Sequence, residues 1–432
     1  MKVHIEKIVY GGWGLSRHEG KVMLIPGVMP GEKVEVELER DFGDYAFCSL
    51  KEVIDPSPYR TSPECPYFLT CGGCDYQHIP YHEQVRIKHE TFLEELVRIG
   101  KIPKEVCAEM VPAPSPFGWR LRLDLAVEVK EKLKLGFYKR RTKEIVDVET
   151  CPVAHPLLLN ILHTLRRLME RHLTIAPFIK RIEITVSPDE QKGHVLIYCL
   201  IHHDKRHMKK LAEELVEECP SVKDVLIKNR ALTFPHSLLG KGRTESALKF
   251  HIEGLTLLLY PGVFLQSNFE QNKSLIQLLR EKVIREHWQD CLELFCGMGN
   301  FSLPLAPCCS HWTGVERDRF AVKNANYNAS LNKLKVTFIC QEAVRALEEW
   351  QRQNKKVELL LLDPPRQGAL EELKMALDLS PRQIVYISCS PATLARDLRF
   401  LIDNGFQLEK VIPIDFFPQS YHVESVSFLR RE

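Results

Sequence analysis

The second half of the chain alternates apolar runs with helical segments, and this alternation constrains the fold more than any other feature. From Gln266 to the C-terminus the apolar runs are CLELFC, HWTGVE, KVTFIC, VELLLLD and QIVYISC. Continuous apolar strands separated by helices are typical of a parallel sheet with helices on both faces. FQLEKVIPID and HVESVSFLRR follow as a terminal strand pair. The pattern predicts an α/β domain over residues 263–432.

The preceding residues carry two other patterns. Residues 1–56 contain about five short β-rich runs separated by Gly turns, which predicts a small OB-like barrel. Residues 57–262 begin with a Cys- and Gly-rich stretch and then mix α and β segments. In this region a helical segment at about 81–112 is predicted to pack on the C-terminal domain. Segment 130–143 carries seven Lys or Arg with aromatic residues between them, and is either a solvated hairpin or a surface for RNA phosphate.

Composition excludes several protein classes. Apolar residues make up 44% of the chain and charged residues 27%, which are ordinary values for a globular protein. The net charge is +2, so global charge neither favours nor excludes RNA as a partner. No run reaches the roughly 18 apolar residues of a membrane span, and the N-terminus has no secretory signal. We therefore expect a cytoplasmic protein without membrane contact, and nothing demands more than a monomer.

Glycines and acids follow the predicted parallel strands where each strand ends. Residues 293–301 read ELFCGMGNF, a strand followed by a G-x-G turn. The carboxyl ends of parallel strands meet at one edge of the sheet, where ligands of α/β folds bind. Glu316 ends the second strand, Glu342 follows the third and Asp363 ends the fourth. Each acid taken singly is better explained as a surface charge, but the ordered set favours S-adenosylmethionine.

The fifth run ends in Ser388-Cys389-Ser390, which places a cysteine at the same edge. Most cysteines in apolar strands are inert core residues. This one precedes a predicted helix, whose N-terminus could help to stabilise a thiolate. Methylation of a pyrimidine at C5 requires a thiolate, because its attack on C6 makes C5 nucleophilic. A base must then remove the C5 proton.

The candidate base is Glu424, in the sequence His422-Val-Glu. Residues two apart in an extended strand face the same side. A carboxylate in an otherwise apolar strand needs a reason, and a salt bridge or an edge position is the alternative explanation. His422 is interpreted as a structural hydrogen-bonding residue.

Three cysteines share one short loop with the pattern C-x5-C-x2-C, and a fourth precedes a proline much later in the chain. They are Cys65, Cys71, Cys74 and Cys151. Such a set could hold zinc or a 4Fe-4S cluster, with reduced, unliganded cysteines as the alternative.

Five motifs resemble those of the RNA 5-methyluridine methyltransferase family, most closely its bacterial 23S ribosomal RNA uracil-C5 branch. They are FLQSN (264–268), LELFCGMGNFSLPLA (292–306), LLDPPRQG (361–368), YISCSPATLARDL (386–398) and DFFPQSYHVESV (415–426). The Cys-rich segment and the N-terminal unit, which resembles a TRAM domain, extend the resemblance over nearly the whole chain. Two departures are small: Leu265 stands where Phe is frequent, and Ser390 where many members have Asn.

The resemblance implies a role for each motif. Cys389 would be the nucleophile and Glu424 the general base. S-adenosylmethionine and the uracil would be bound by Gln266, Phe295, Gly297, Gly299, Asn300, Glu316, Glu342 and Asp363. The four cysteines would hold a structural 4Fe-4S cluster. The implied fold is multi-domain α/β: a TRAM-like OB barrel at 1–56, a central α+β RNA-binding domain with an Fe-S loop at 57–262, and a class I Rossmann-like methyltransferase domain at 263–432.

The implied substrate is one uridine of structured RNA, most readily 23S rRNA, flipped out of its stack. Cytosine is disfavoured, because 5-methylcytosine enzymes commonly carry a Cys directly after the Pro that follows the fourth strand, where this chain reads Asp363-Pro364-Pro365. Two alternatives stay open. One is the same chemistry on tRNA, and the other is a catalytically idle RNA-binding iron–sulfur protein.

Overall fold

The computed structural model describes residues 1–201, 205–284 and 286–431. Its N-terminal strands are β1 (Lys2–His4), β2 (Lys7–Val9), β3 (Trp13–His18), β4 (Lys21–Pro26), β5 (Lys33–Asp41) and β6 (Tyr45–Asp55). They form one sheet in the order β1-β5-β6-β4-β3-β2, in which only the β4–β6 pair is parallel. The unit therefore has six strands rather than about five, and its inward side chains form a small separate core.

A second sheet lies in the middle of the chain. Its strands are β7 (Arg122–Val129), β8 (Leu133–Tyr138), β9 (Ile145–Asp147), β10 (Ile179–Ser187), β11 (Lys192–Cys199), β12 (Val222–Lys228) and β13 (His236–Ser237). Their order is β13-β12-β11-β10-β7-β8-β9, and only β11 and β12 are parallel. The helices of this part are α1 (Tyr81–Gly100), α2 (Pro156–Arg171), α3 (Lys205–Glu218) and α4 (Arg243–Ser246). A hairpin of β14 (Leu248–Ile252) and β15 (Leu255–Leu259) follows.

The third sheet contains the apolar runs. Its strands are β16 (Trp288–Leu294), β17 (Cys309–Glu316), β18 (Val336–Cys340), β19 (Leu359–Leu362), β20 (Gln383–Ser388), β21 (Gln407–Ile414) and β22 (Glu424–Arg430). The helices are α5 (Phe269–Val283), α6 (Ser302–Leu305), α7 (Arg319–Leu331), α8 (Ala343–Arg352), α9 (Leu370–Ala376) and α10 (Pro391–Asp403). The strand order is β18-β17-β16-β19-β20-β22-β21. The first five strands are parallel and β22 is antiparallel to both neighbours, so the runs form the predicted parallel sheet and terminal pair.

Alternate residues of the central strands enter opposite cores. In β19, Leu359 and Leu361 belong to one apolar cluster, whereas Leu360 and Leu362 belong to another. The first cluster continues through α5 and the hairpin into the second sheet. The second cluster includes side chains of α1, which packs against α10. A Cβ on Gly100 would stand 2.7 Å from the Ala395 carbonyl, so the two helices approach closely.

Within the described part of the chain, no helix has the length and apolar character that crossing a bilayer requires.

Candidate active site

A cavity of about 1040 Å³ opens at the carboxyl edge of the parallel strands. The ends of β16, β17, β19 and β20 contribute to its walls, together with the segment before α5 and the start of β22. Most of the predicted site residues line it: Gln266, Phe295, Gly297, Glu316, Glu342, Asp363, Cys389 and Glu424. The sheet topology thus brings together residues that are more than 150 positions apart in the sequence.

The turn after β16 has an unusual backbone. Phe295 has φ of 65°, a left-handed conformation that costs a non-glycine residue about 1 kcal/mol or more. The Gly297 N–H donates to Glu316 Oε2 at 3.1 Å, and the Asp318 N–H donates to Glu316 Oε1 at 2.8 Å. The carboxylate of Glu316 is therefore held in place. Each of its oxygens can still accept a further hydrogen bond.

Gly299 and Asn300 lie outside the lining of this cavity. A Cβ on Gly299 would stand 3.0 Å from the Leu303 side chain, and its φ is 85°. The Asn300 and Asn272 amides donate to each other at 2.8 and 3.0 Å, which ties the turn to α5. Both residues shape the turn, and their contact with a cofactor stays a prediction.

Cys389 follows β20, and Ser390 is the N-cap of α10. The sequence predicts that the helix N-terminus favours the thiolate, but burial acts in the other direction. Burial, with a smaller contribution from the carboxylates of Glu424 and Asp363, raises the pKa of the Cys389 thiol to about 11. The nearby Arg366 guanidinium opposes this shift.

Glu424 is almost fully buried, and its Oε1 has no hydrogen-bond partner. Burial, reinforced by the Asp363 carboxylate, holds the pKa of Glu424 well above its usual value. Burial also raises the pKa of Asp363 to about 7. β22 lies between two strands, and no ion pair among the described residues includes Glu424, so neither an edge position nor a salt bridge explains this carboxylate. Once ionised, a buried carboxylate with high proton affinity is suited to accepting a proton.

His422 and Arg366 also line the cavity. β22 begins at Glu424, so His422 precedes the strand rather than lying in it, although both residues reach the same cavity. Burial, followed by the Arg366 charge, lowers the pKa of His422 to about 4, which keeps the imidazole neutral near pH 7. We assigned Arg366 no role from the sequence. Its position directly after the strand-end Asp-Pro-Pro was the available signal.

A second cavity, of about 380 Å³, is lined by Cys65, Cys71, Cys74 and Cys151. Among the described residues, no three His, Cys, Asp or Glu side chains form a group that could hold a metal ion. The basic segment 130–143 contains β8 and the turn that leads to β9, and we call it the basic hairpin. Residues 138–142 of this turn form part of the wall.

The profile of the family described as tRNA (uracil-5-)-methyltransferase matches residues 105–432, more than half of the chain. The chain belongs to this family. It is therefore an RNA uracil-C5 methyltransferase, an S-adenosylmethionine-dependent transferase, and the predicted enzyme class is confirmed.

This chain is similar over its full length to two relatives and to one solved structure. The 23S rRNA (uracil(1939)-C(5))-methyltransferase RlmD of Alkalilimnicola ehrlichii is 32% identical, over 100% of this chain and 96% of that protein. An uncharacterized RNA methyltransferase of Aquifex aeolicus is 31% identical, over 99% of this chain and 98% of that protein. The Pyrococcus abyssi tRNA (uracil-54, C5)-methyltransferase, solved with S-adenosyl-L-homocysteine, has a TM-score of 0.76 and 23% identity, and the match covers 99% of this chain and 100% of that one. The fold is thus mixed α/β with several sheets.

Proposed function

We propose that the chain methylates C5 of one uridine in 23S rRNA. The observation that carries the proposal is the convergence of Cys389, Glu424 and Asp363 on one cavity at a parallel sheet edge. The choice of RNA is supported by the full-length relative named as a 23S rRNA uracil-C5 methyltransferase. A stacked uridine must leave its stack to reach such a cavity.

In the proposed reaction, Cys389 Sγ forms a bond to C6 of the uracil, which makes C5 nucleophilic. S-adenosylmethionine, when bound, would supply the methyl group that C5 takes up, and would be left as S-adenosylhomocysteine when its S–CH3 bond breaks. Glu424 then accepts the C5 proton, the Sγ–C6 bond breaks and the C5=C6 double bond returns. The place of Glu424 on the cavity wall and its unpartnered oxygen support its role as base. The positive charge of Arg366 favours the ionised forms of both groups.

The methyl donor is assigned to the β16–β17 side of the cavity. Glu316 offers acceptors to the ribose hydroxyls, and Gly297 allows the backbone to come close to a ligand. Gln266, Phe295 and Glu342 complete this wall. Gly299 and Asn300 would act by holding the turn rather than through a side chain in the cavity.

The finer domain division also belongs to the proposal. Residues 1–56 would be a TRAM-like OB barrel, 57–262 a central RNA-binding domain with the cysteine loop, and 263–432 a class I Rossmann-like methyltransferase domain. The bounds of the three sheets support these ranges. Arg141 stacks on Trp13 at 4.8 Å, and Phe42 and Tyr45 are exposed, which supports an RNA-facing surface on the N-terminal unit.

A methyl-transfer assay tests the substrate. Protein and labelled S-adenosylmethionine are incubated with unmodified ribosomal RNA and transfer RNA in separate reactions, and the labelled nucleoside is identified after digestion. We expect 5-methyluridine from ribosomal RNA. Label in transfer RNA alone would favour the second candidate, which the tRNA-enzyme fold neighbour supports. Label in neither RNA would favour the idle RNA-binding alternative.

Two variants test the residue roles. Cys389→Ala should bind RNA and the methyl donor but transfer no methyl group, whereas Cys340→Ala, at an exposed cysteine, should keep full activity. Glu424→Gln should accumulate a covalent RNA adduct on a denaturing gel. Turnover by Cys389→Ala, or full activity of Glu424→Gln without an adduct, would contradict the assignments.

We further propose that Cys65, Cys71, Cys74 and Cys151 hold a 4Fe-4S cluster. The four thiols do not converge on one point as the ligands of a single metal ion would, but they line one cavity, and four cysteine thiolates are the ligand set of such a cluster. The cluster would supply a structural cross-link between the cysteine loop and the segment before α2.

Anaerobic purification tests the cluster. The protein should be brown, with broad absorption near roughly 400 nm from thiolate–iron charge transfer, and should contain iron and acid-labile sulfide. Cys74→Ser should lose the absorption, and Cys340→Ala should keep it. A colourless protein that contains zinc would contradict the iron–sulfur assignment.

A further inference from the structure

The segment between β21 and β22, residues 415–423, leads directly into Glu424 and carries His422. It has no regular secondary structure, so its shape depends on contacts from elsewhere in the chain. Those contacts come mostly from residues 75–88, more than 300 positions earlier.

Asp75 makes the central contact. It directly follows Cys74 and is only 5% exposed. Its backbone N–H donates to the Gln419 carbonyl at 2.7 Å, and its Oδ2 accepts the Tyr421 N–H at 3.2 Å. One residue therefore holds the segment at two points on either side of Ser420.

The other carboxylate oxygen of Asp75 joins the cysteine loop to the basic hairpin. Arg140 Nη2 donates to Asp75 Oδ1 and, at 3.2 Å, to the Cys74 carbonyl. The N-terminal sheet closes the same site, because a Cβ on Gly12 would stand 3.0 Å from the Asp75 Cβ. Elements of all three sheets thus meet at this carboxylate.

The held segment contains a strained residue. Gln419 has φ of 71°, and nearby hydrogen bonds stabilise that conformation. Gln84 and Gln419 are joined by two reciprocal hydrogen bonds. Gln84 Nε2 donates to Gln419 Oε1 at 2.9 Å, and the Gln419 backbone N–H donates to Gln84 Oε1 at 3.0 Å. The Tyr421 ring, two positions on, contacts the His422 ring, with centroids 4.1 Å apart and the ring planes tilted by 39°. A displacement of Gln419 or Tyr421 would therefore also move His422, which lines the catalytic cavity.

We propose that Asp75 is a positioning residue that couples the cysteine loop to the segment carrying Glu424. The carboxylate does not line the catalytic cavity. It acts by fixing the Tyr421 backbone, and hence the direction in which the chain enters β22. The inference rests on the proposed role of Glu424 for its effect on turnover, but not for its effect on the segment itself.

The test compares Asp75→Asn with a matched control, Asp147→Asn. Asp147 also accepts a backbone N–H, from Leu135 at 3.0 Å, and pairs with an arginine, Arg166 at 2.8 Å. It lies in the second sheet, away from the 415–423 segment. Arg140→Lys is a milder second variant, which keeps the charge but loses the guanidinium fork.

Hydrogen exchange of the free holoprotein gives the first readout. Peptides covering 415–424 should exchange at least severalfold faster in Asp75→Asn than in Asp147→Asn, because the single amide oxygen of Asn cannot accept from both the Tyr421 N–H and Arg140. Arg140→Lys should have a smaller effect in the same direction. Equal exchange in Asp75→Asn and Asp147→Asn would overturn the inference, whatever the activity of the enzyme.

Turnover gives the second readout. In Asp75→Asn, kcat should fall roughly tenfold to a hundredfold, as a misplaced catalytic group predicts, while KM for S-adenosylmethionine changes less than about twofold. The fraction of enzyme trapped as covalent RNA adduct should rise, because proton removal is the impaired step. A fall in donor affinity and in Tm without a rise in adduct would make Asp75 merely structural and would overturn the inference. A wild-type protein that forms no adduct with any RNA would contradict the proposed function, and the exchange result would still decide the role of Asp75.

Discussion

The environment of Glu293 in the structure differs from the one that its place in the sequence indicates. In the sequence it is one acid in a strand that leads to a glycine turn. In the structure it is fully buried, accepts a hydrogen bond from the Ser302 hydroxyl and has one oxygen without a partner. Burial is the main cause that raises its pKa to about 8.

The raised pKa predicts a pH-dependent stability. The native state keeps the Glu293 proton up to about pH 8, whereas the unfolded chain loses it near its ordinary pKa. This contribution is therefore fully present below the unfolded pKa and is lost as pH rises through about 8, by up to ~1.4 kcal/mol per pH unit for one group. The Tm of Glu293→Gln should rise relative to wild type between pH 5 and 8. Glu348→Gln is the control at an exposed position, and the difference between its Tm and that of wild type should not change over the same pH range.

Burial, and to a smaller extent the carboxylates of Glu424 and Asp363, raise the pKa of the Cys389 thiol. Glu424→Gln removes one negative charge, so the pKa of the thiol should fall below its wild-type value of about 11. Peptide-resolved alkylation rates of the free protein, measured against pH with Cys340 as an internal reference, report this midpoint. An unchanged midpoint would mean that burial alone sets the pKa.

At the scale of elements, α7 and β15 form an unusual pair. Asn324, Asn328 and Asn332 recur at intervals of four, which places them on one face of the helix. Their side-chain amides bind N–H and carbonyl groups of β15 and Tyr260 at 2.7–3.1 Å. The helix thereby satisfies a strand edge that the two-stranded hairpin leaves unpaired. The spacing was visible in the sequence, but we did not recognise it as a signal.

Removing one amide should destabilise this contact. Asn328→Ala leaves the buried Leu258 N–H without its acceptor, at 2.8 Å in the wild type, and should cost about 1–3 kcal/mol. Asn326→Ala is the control, because the Asn326 amide is exposed and bonds only to its own helix. Unfolding in urea gives the free energy of unfolding of both variants. Equal losses of unfolding free energy in the two variants would contradict the proposed role of Asn324, Asn328 and Asn332 at the edge of β15.

At the scale of the whole molecule, α1 joins parts that are distant in sequence. Lys88 and Asp415 are fully buried and lie 2.7 Å apart, although 327 positions separate them. The ammonium group also donates to the Phe417 carbonyl at 2.9 Å. A buried pair of this kind destabilises strongly when only one partner is removed.

This pair predicts a non-additive response. Lys88→Met leaves the Asp415 carboxylate buried and uncompensated, and should cost about 3–5 kcal/mol of stability. Adding Asp415→Asn should recover part of that loss. Lys7→Met breaks the Lys7–Glu94 pair, which also reaches α1 but is about half exposed, and should change stability by less than about 1 kcal/mol. Additive effects of the two buried substitutions, measured by thermal unfolding, would contradict a direct interaction.

Local sequence patterns were sufficient for the third sheet and for most of its ligand edge. Apolar runs define strands that are buried on both faces, and the carboxyl ends of parallel strands meet at one edge, so the sequence was sufficient to place Glu316, Asp363 and Cys389 together. Glu424 was a candidate base from the strand pattern, and the family motifs implied the same role for it. The domain boundaries and the individual residue roles stay predictions.

Only the tertiary structure decided the environment of these residues. The raised pKa of Cys389, the neutral His422, the Lys88–Asp415 pair and the Asp75–Tyr421 contact depend on groups that pack from other elements. Periodicity reports which face of an element is buried, but it carries no information on what covers that face. Desolvation and charge act through distance in space, so the chemistry of this edge depends on groups from separate elements, such as Glu424 beside Cys389 and Arg366 beside His422.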